Sequence, residues 1–322
     1  MITTRFTELV GCDVPIQQAP MGPISSTELA TAVARAGGLG TVAVLPGLAP
    51  DDLAEYLDTM TDGASGTFAV NFLTDDVDPK AVQVAAARVR VVDFFWSTPD
   101  RALVDVAHSA GALVSWQIGS VADAVAAVDA GVDIVAAQGT EAGGHIRGRT
   151  ALLPLLSAVL EAVPVPVLAA GGIADPRALA AVLAAGAAGA RIGTRFIAAQ
   201  ESGAHPDYVA AVLDAAADAT EITDAFAVCP LCATLPRARV LRSAIAAVGA
   251  VDADEVGTMP APDGTAAVPT HFGMPPHRGV RGRIHAMALY AGQSVGLVNE
   301  VMTADEIVTG LVTGAEARLR GE

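Results

Sequence analysis

Basic side chains are scarce in this sequence. Nineteen Lys plus Arg face 35 Asp plus Glu in 322 residues, a formal charge of −16 at pH 7. The surface as a whole therefore repels a phosphate backbone, and nucleic acid is excluded as a main partner. There are three cysteines, too few for a disulfide framework and in keeping with a reducing, cytoplasmic setting. The start of the chain has no basic stretch followed by an apolar run. The most apolar later segment, Ala151–Ala170, is interrupted by Glu161 and by Pro154, Pro164 and Pro166. Neither a signal peptide nor a membrane span is expected. The patterns G-x-G-x-x-G and G-x-x-x-x-G-K-[ST] are missing, so a Rossmann dinucleotide site and an ATP-binding P-loop have no support.

Apolar residues are plentiful. They make up 52% of the chain and give it a positive mean hydropathy, enough for one large domain or one domain with a smaller companion. Short, continuously apolar runs alternate with alanine-rich helical stretches, the rhythm of βαβ units. Eight runs read as strands: Pro15–Ala19, Leu39–Val44, Thr67–Phe72, Val91–Phe95, Ala112–Gln117, Asp133–Gln138, Val165–Ala170 and Gly189–Gly193. The helical stretches between them often open on Ser, Asp or Pro, as helix starts do. Such strands suit a parallel sheet buried on both faces, and eight units in this length predict an α/β fold, a (β/α)₈ TIM barrel, over residues 1–219. Past about residue 200 the rhythm breaks. Residues 220–300 are expected to form a smaller, mainly helical, substrate-covering region with a long Gly-, Pro- and Met-rich loop from Gly257 to Arg283. A last helix, within residues 301–322, is expected to pack back on the barrel.

Barrels of this kind bind ligands on the loops after the strands' C-terminal ends. Those loops carry Pro20, Met21 and Gly22 after the first strand, Asn71 after the third, Gln117 at the fifth and Gln138 at the sixth. Any one of these amides is explained by a paired core position, but several aimed at one mouth could contact a flat heteroaromatic ring. The sixth strand runs into Gln138-Gly139-Thr140-Glu141-Ala142-Gly143-Gly144-His145. The histidine there is a candidate acid or base, with Glu141 the better candidate for a structural anchor. A bland reading has His145 capping the next helix. Gly171-Gly172 after the seventh strand and Gly193-Thr194 after the eighth occupy the phosphate position of this fold, where backbone N–H groups and a threonine hydroxyl can receive an anion.

Other features admit blander readings. Cys229-x-x-Cys232 has zinc or dithiol spacing but no second CxxC, and no metal site is expected. Met259 and Met274 suit pocket walls or gap filling. Arg278, Arg281 and Arg283 suit a solvated turn better than a phosphate grip.

The segments Gln17-Gln18-Ala19-Pro20-Met21, Gly37-Gly38-Leu39-Gly40, Asn71, Gln138-Gly139-x-Glu141-Ala142-Gly143-Gly144-His145, Ala170-Gly171-Gly172-Ile173-Ala174 and Gly193-Thr194-Arg195-Phe196 together resemble the nitronate monooxygenase family, formerly called 2-nitropropane dioxygenases. Tyr290-Ala291-Gly292-Gln293-Ser294 resembles that family's C-terminal signature, and implies that the end of the chain returns to the site. The resemblance spans most of the chain. It implies FMN at the barrel mouth, with its phosphate held by Gly171, Gly172, Gly193 and Thr194. Ala19, Pro20, Met21, Asn71, Gln117 and Gln138 would lie along its ribityl chain and ring. Gly143 and Gly144 would bring backbone close to the ring, with His145 facing a small-molecule substrate. The implied activity is oxidation of alkyl nitronates by O₂ to a carbonyl compound and nitrite. His145 would then remove the α-proton of a nitroalkane or, as imidazolium, hold a nitronate.

Many nitronate oxidisers carry arginine directly after this histidine, whereas Ile146 stands here before Arg147. That difference keeps a second expectation in play, an NAD(P)H-dependent FMN reductase of quinones or enoyl thioesters. A phosphate-binding barrel without flavin, or a non-catalytic flavin carrier, is the third. A homodimer is left open.

Overall fold

The computed structural model describes residues 2–44, 47–73, 76–95, 97–229, 232, 234–261 and 264–322. Eight parallel strands close into a barrel: β1 (Ile16–Gln18), β2 (Leu39–Val44), β3 (Thr67–Phe72), β4 (Val91–Phe94), β5 (Leu113–Ile118), β6 (Ile134–Gln138), β8 (Val167–Ala170) and β9 (Gly189–Ile192). β1 pairs with β9, Gln17 opposite Arg191, and this closes the ring. Each expected strand is present: β2 and β3 keep the expected ends, and the others differ by at most two residues at either end. Ser26, Ser120 and Asp175 cap the helices that follow them by accepting hydrogen bonds from Leu29, Asp123 and Ala178 N–H groups. These contacts satisfy helix-end donors that would otherwise lack a partner.

The two ends of the barrel differ. Below, the helix Arg5–Val10 places Phe6 and Val10 against Leu39, Val91, Ile134 and Leu168, an apolar plug. Above it the interior turns polar. Arg191 on β9 donates to Asp93 on β4, to Gln17 Oε1 (3.0 Å), to Gln117 Oε1 (2.8 Å) and to Ser115 Oγ (3.2 Å). The side chains of Arg191 and Asp93 are 1% and 0% exposed. Asn71 on β3 joins by donating to Asp93 (2.6 Å), and Gln17 donates to Thr41 on β2 (3.2 Å). Outside the strands, helices form the outer ring. The last of them, Ala304–Leu319, buries Ile307, Val308, Leu311 and Val312 and packs on the helices Pro176–Ala184 and Thr27–Arg35.

The region 220–300 corrects the expectation of a mainly helical segment. Two three-stranded sheets occupy it. In one, β10 (Thr220–Thr223) and β11 (Ala238–Leu241) are joined by β7 (Gly144–His145), the two-residue strand from the loop after β6. The other consists of β12 (Glu255–Ala261), β13 (Gly264–Pro269) and β14 (Arg281–Gly282). β11 leads into the helix Arg242–Gly249, and Ile284–Ala286 is a single 3₁₀ turn. Gly257, Pro260, Gly264 and Pro269 made the hairpin read as a loop. Proline is nevertheless tolerated at strand positions where an N–H would face away from the partner. Between this region and the barrel mouth lies a second apolar cluster that includes Ile24, Tyr208, Phe226, Val240 and Leu289. Among the described residues no helix is long and apolar enough to cross a membrane.

Removing one partner of a buried pair leaves the other charge uncompensated, at a cost of about 3–5 kcal/mol. Asp93→Asn is therefore expected to lower the denaturant midpoint markedly. Asp58→Asn, which breaks the exposed pair with Arg88, is expected to cost less than about 1 kcal/mol. Urea unfolding of the two variants side by side checks this, and equal losses would remove the polar layer from its structural role.

Candidate active site

A cavity of about 440 Å³ opens at the C-terminal ends of the barrel strands, within the range of about 300–1,000 Å³ usual for ligand sites. It gathers most of the residues singled out in the sequence. Ala19, Pro20 and Met21 line it after β1, Gln117 from β5, and Gln138, Gly143, Gly144 and His145 from β6 and the loop after it. Gly171 and Gly172 line it after β8, and Gly193 and Thr194 after β9. Asn71 is not in the wall. It is fully buried one layer below, bonded to Asp93, and its Oδ1 has no hydrogen-bond partner among the described residues. Leu73, Phe95, Ile173, Ile197, Phe272 and Met274 make the remaining wall largely apolar.

The loop after β6 is held from several sides. Gln138 donates Nε2 to His145 O (2.8 Å) and accepts from Arg147 N at Oε1 (3.1 Å), so one amide clamps both ends of the turn. The Glu141 carboxylate accepts from Leu152 N at 2.9 and 3.0 Å. It is thus Glu141, rather than His145, that meets the start of the helix Leu152–Ala162, and the anchor role expected of Glu141 is observed. Backbone approaches backbone where the loop meets the C-terminal segment. A Cβ on Gly143 would lie 2.6 Å from Gly292 N, closer than real Cβ contacts come. Gln293 N donates to Glu141 O (2.9 Å). Tyr290–Ser294 thus returns to the site, as the family signature implies.

His145 is fixed by its own backbone. β7 pairs antiparallel with β11, Ala238 opposite His145. Its half-buried ring stands edge-on to Tyr290, with centroids 5.5 Å apart, and its Nε2 lies 3.5 Å from Cys232 Sγ. Burial pushes the imidazole pKa down to about 4, because the charged form loses its water. At neutral pH the ring is therefore uncharged and can accept a proton.

The arginine in the cavity wall is already committed. Arg191 forms part of the wall, but its donors serve the network beneath. Ile146 is 3% exposed, and its N–H donates to Arg237 O. It lies in the protein body and not in the cavity wall, so the residue type after His145 has no direct contact with what the cavity holds. Arg147 bonds to Asp123 (3.1 Å) and Phe95 O (3.4 Å). At the other end of the cavity, Thr194 Oγ1 accepts from Gly292 N (2.9 Å), which leaves the hydroxyl proton to donate to something else. Gly171 and Gly172 have φ of 110° and 71°, angles that favour glycine, and a Cβ on Gly171 would lie 2.9 Å from Ala142 N.

Several contributors escaped the sequence reading. Asp93 and Arg191 carried a usable signal, since each is a lone charge inside an apolar strand and must find a partner if buried. Tyr290 was identified as part of a motif but not as the ring beside His145. Tyr208, whose hydroxyl donates to Tyr290 O, gave no signal at all, because its place depends on how the region after residue 200 folds back.

The His145 shift has a definite pH consequence. The unfolded chain takes up a proton near the ordinary value of 6.5, which the folded chain refuses until about pH 4. Stability from this group is therefore complete above 6.5 and declines as the pH falls from 6.5 to 4. Histidine-resolved NMR titration is expected to show a midpoint near 4 for His145, and a midpoint at or above 6.5 would overturn the assignment of a neutral, desolvated ring.

Comparison with known proteins gives a consistent result. The family model for nitronate monooxygenase matches residues 3–83 and 67–314. A relative from Rhodococcus jostii, a "(3aS,4S,5R,7aS)-5-hydroxy-7a-methyl-1-oxo-octahydro-1H-indene-4-carboxyl-CoA dehydrogenase", is 38% identical over 204 residues, 62% of this chain but only 57% of that protein. The nitronate monooxygenase of Pseudomonas aeruginosa is 31% identical over 269 residues, covering 69% of this chain and 77% of its own. FabK from Thermotoga maritima superposes with a TM-score of 0.78 at 28% identity, over 100% of this chain and 99% of that one. The chain belongs to the nitronate monooxygenase family and is an oxidoreductase.

Proposed function

We propose that this chain is an FMN-dependent oxidoreductase that oxidises alkyl nitronates, and the nitroalkanes from which they form, with O₂ to a carbonyl compound and nitrite. The observation that carries the reading is the neutral His145 imidazole on the wall of a cavity whose remaining features suit a flavin. The uncharged ring supports the base role over the imidazolium role: His145 takes the α-proton of a neutral nitroalkane.

The cavity's donor set fits FMN. The available Thr194 hydroxyl and the glycine backbones of Gly171, Gly172 and Gly193 offer neutral donors to a phosphate, as helix-entry and glycine-loop sites do. Gln117 and Gln138 bring amides to the ring side, and Pro20, Met21 and Phe95 offer apolar surface. When bound, FMN would supply the electron transfer and the reaction with dioxygen that no side chain can supply. The protein's own share is to orient the substrate, exclude water and hold the proton on His145. In this reading residues 1–219 are the FMN-binding barrel. Residues 220–300 cover the mouth through Cys229, Phe272–Pro275 and Tyr290, and residues 301–322 brace the barrel from behind.

One observation favours a second reading. Arg191, the one arginine among the described residues lining the cavity, is committed to the network beneath, so an anionic nitronate would meet no uncommitted guanidinium in the wall. A neutral acceptor suits the same wall. NAD(P)H-dependent reduction of FMN, followed by hydride delivery to a quinone or enoyl thioester, would use His145 to orient or protonate the acceptor.

Anaerobic mixing separates the two readings. Propyl nitronate is expected to bleach the bound flavin while NADH and NADPH leave it oxidised, and the reverse pattern would transfer the proposal to the reductase. Purified protein that neither carries nor takes up FMN would overturn both. His145→Ala is expected to lower turnover by at least about tenfold with FMN retained, the usual scale of acid–base help. Thr194→Val is expected to weaken FMN binding about tenfold, the loss of one hydrogen bond to a charged group, measured by flavin release on dialysis.

A further inference from the structure

Cys229 and Cys232 were left without a role by the sequence reading, and the fold brings both to the cavity. Cys229 is half-buried in its wall. Cys232 is buried, and its Sγ lies 3.5 Å from His145 Nε2. Cys232 N donates to Cys229 O at 3.1 Å, which holds the two residues close together, as a disulfide with Cα atoms no more than about 6.8 Å apart requires. Both side chains lie against the same residue. Space for them is made by Gly273, where a Cβ would lie 2.7 Å from Cys232 Sγ and 3.2 Å from Cys229 Cβ. Gly273 is itself pinned, because Tyr290 Oη donates to its carbonyl (2.6 Å) and its N–H donates to Val228 O (3.2 Å). Among the described residues no group of three or more His, Cys, Asp or Glu is arranged to hold a metal.

We propose that Cys229 and Cys232 are an oxidisable dithiol at the cavity mouth, which peroxide closes to a disulfide, thereby removing the Cys232 thiol from His145. The chemistry balances. Cys229 sulfur attacks one oxygen of hydrogen peroxide; the O–O bond breaks, leaving a sulfenic acid and one water. Cys232 sulfur then displaces that hydroxyl, forming the S–S bond and a second water. The two sulfurs lose two electrons, and both thiol protons end in water. Cys229 is the attacking residue because it faces the cavity, and Cys232 the resolving one because it is buried behind. In the reduced state the Cys232 thiol lies within hydrogen-bonding distance of Nε2, and closure of the disulfide removes the thiol proton from that contact. Bond formation rests on the thiol geometry alone, whereas the consequence for catalysis rests on the role proposed for His145.

The test uses the full-length, flavin-loaded protein and separates these two parts. The reduced protein is treated with a few equivalents of hydrogen peroxide, alkylated with iodoacetamide, digested and weighed. The peptide carrying Cys229 and Cys232 is expected to be unalkylated and lighter by two hydrogens, with dithiothreitol restoring both thiols, while buried Cys12 stays reduced. Histidine-resolved NMR of the same sample is expected to show the His145 titration midpoint displaced on oxidation. In Cys232→Ser, which keeps a hydroxyl donor, peroxide is expected to leave a Cys229 sulfenic acid that dimedone traps, and the His145 midpoint is expected not to move. Two alkylated cysteines after peroxide, or oxidation of Cys229 to sulfinic acid without a bridge, would overturn the dithiol. A disulfide that leaves the His145 titration of the wild type unmoved would overturn its coupling to the histidine. Neither result depends on whether nitronate or NAD(P)H reduces the flavin.

Discussion

The guanidinium of Arg191, buried beneath the barrel mouth, is the constraint on which the rest of the site depends. A charge with 1% of its side chain exposed survives only where carboxylate and amide groups replace its water. Here those groups come from three other strands: Asp93 on β4, Gln117 and Ser115 on β5, and Gln17 on β1. One side chain thus ties strands on opposite sides of the ring at a fixed height. It also sets where the interior stops being apolar, because the plug built on Phe6 and Val10 lies below and the cavity above. The site floor is therefore rigid, and its polar atoms are largely spent on one another.

With the floor fixed and its charge neutralised, selectivity is left to the mouth. The loop after β6 is clamped by Gln138, anchored by Glu141 and drawn into a sheet by β11. It brings His145 to the cavity wall through backbone pairing. Tyr290–Ser294 lies over that loop at backbone contact distance. The same segment supplies the ring beside His145 and the hydroxyl that pins Gly273. Histidine, thiols and strap therefore form one packed unit, in which burial rather than a neighbouring charge keeps the imidazole neutral.

Much of this was legible in the sequence, for identifiable reasons. The barrel strands are short, apolar and punctuated by Ser, Asp and Pro helix starts, so their period survives whatever the tertiary context does. Gly171, Gly172, Gly193 and Thr194 could be collected before any coordinates were known, because this fold fixes which strand ends face one mouth. Asn71 shows the limit of that inference. Its strand-end position is right, yet its side chain faces Asp93 one layer down, since the strand's stagger rather than its sequence decides which inward residue reaches the rim. Ile146 shows the same limit more sharply. Sequence position puts it next to His145, but successive residues of a strand point to opposite faces, and it is buried away from the cavity.

By itself, the sequence determined the barrel, the end of it that carries the site, the glycine loops and the histidine, because each rests on local periodicity or on backbone angles that only particular residues adopt. Tertiary structure alone decided how residues 220–300 fold, which charge neutralises Arg191, the protonation of His145, and the meeting of Cys232, Tyr290 and His145. Those outcomes depend largely on contacts between segments far apart in the chain, as between β7 and β11 or Asp93 and Arg191, and on how much water packing leaves around a group, and neither is written in any single stretch of chain.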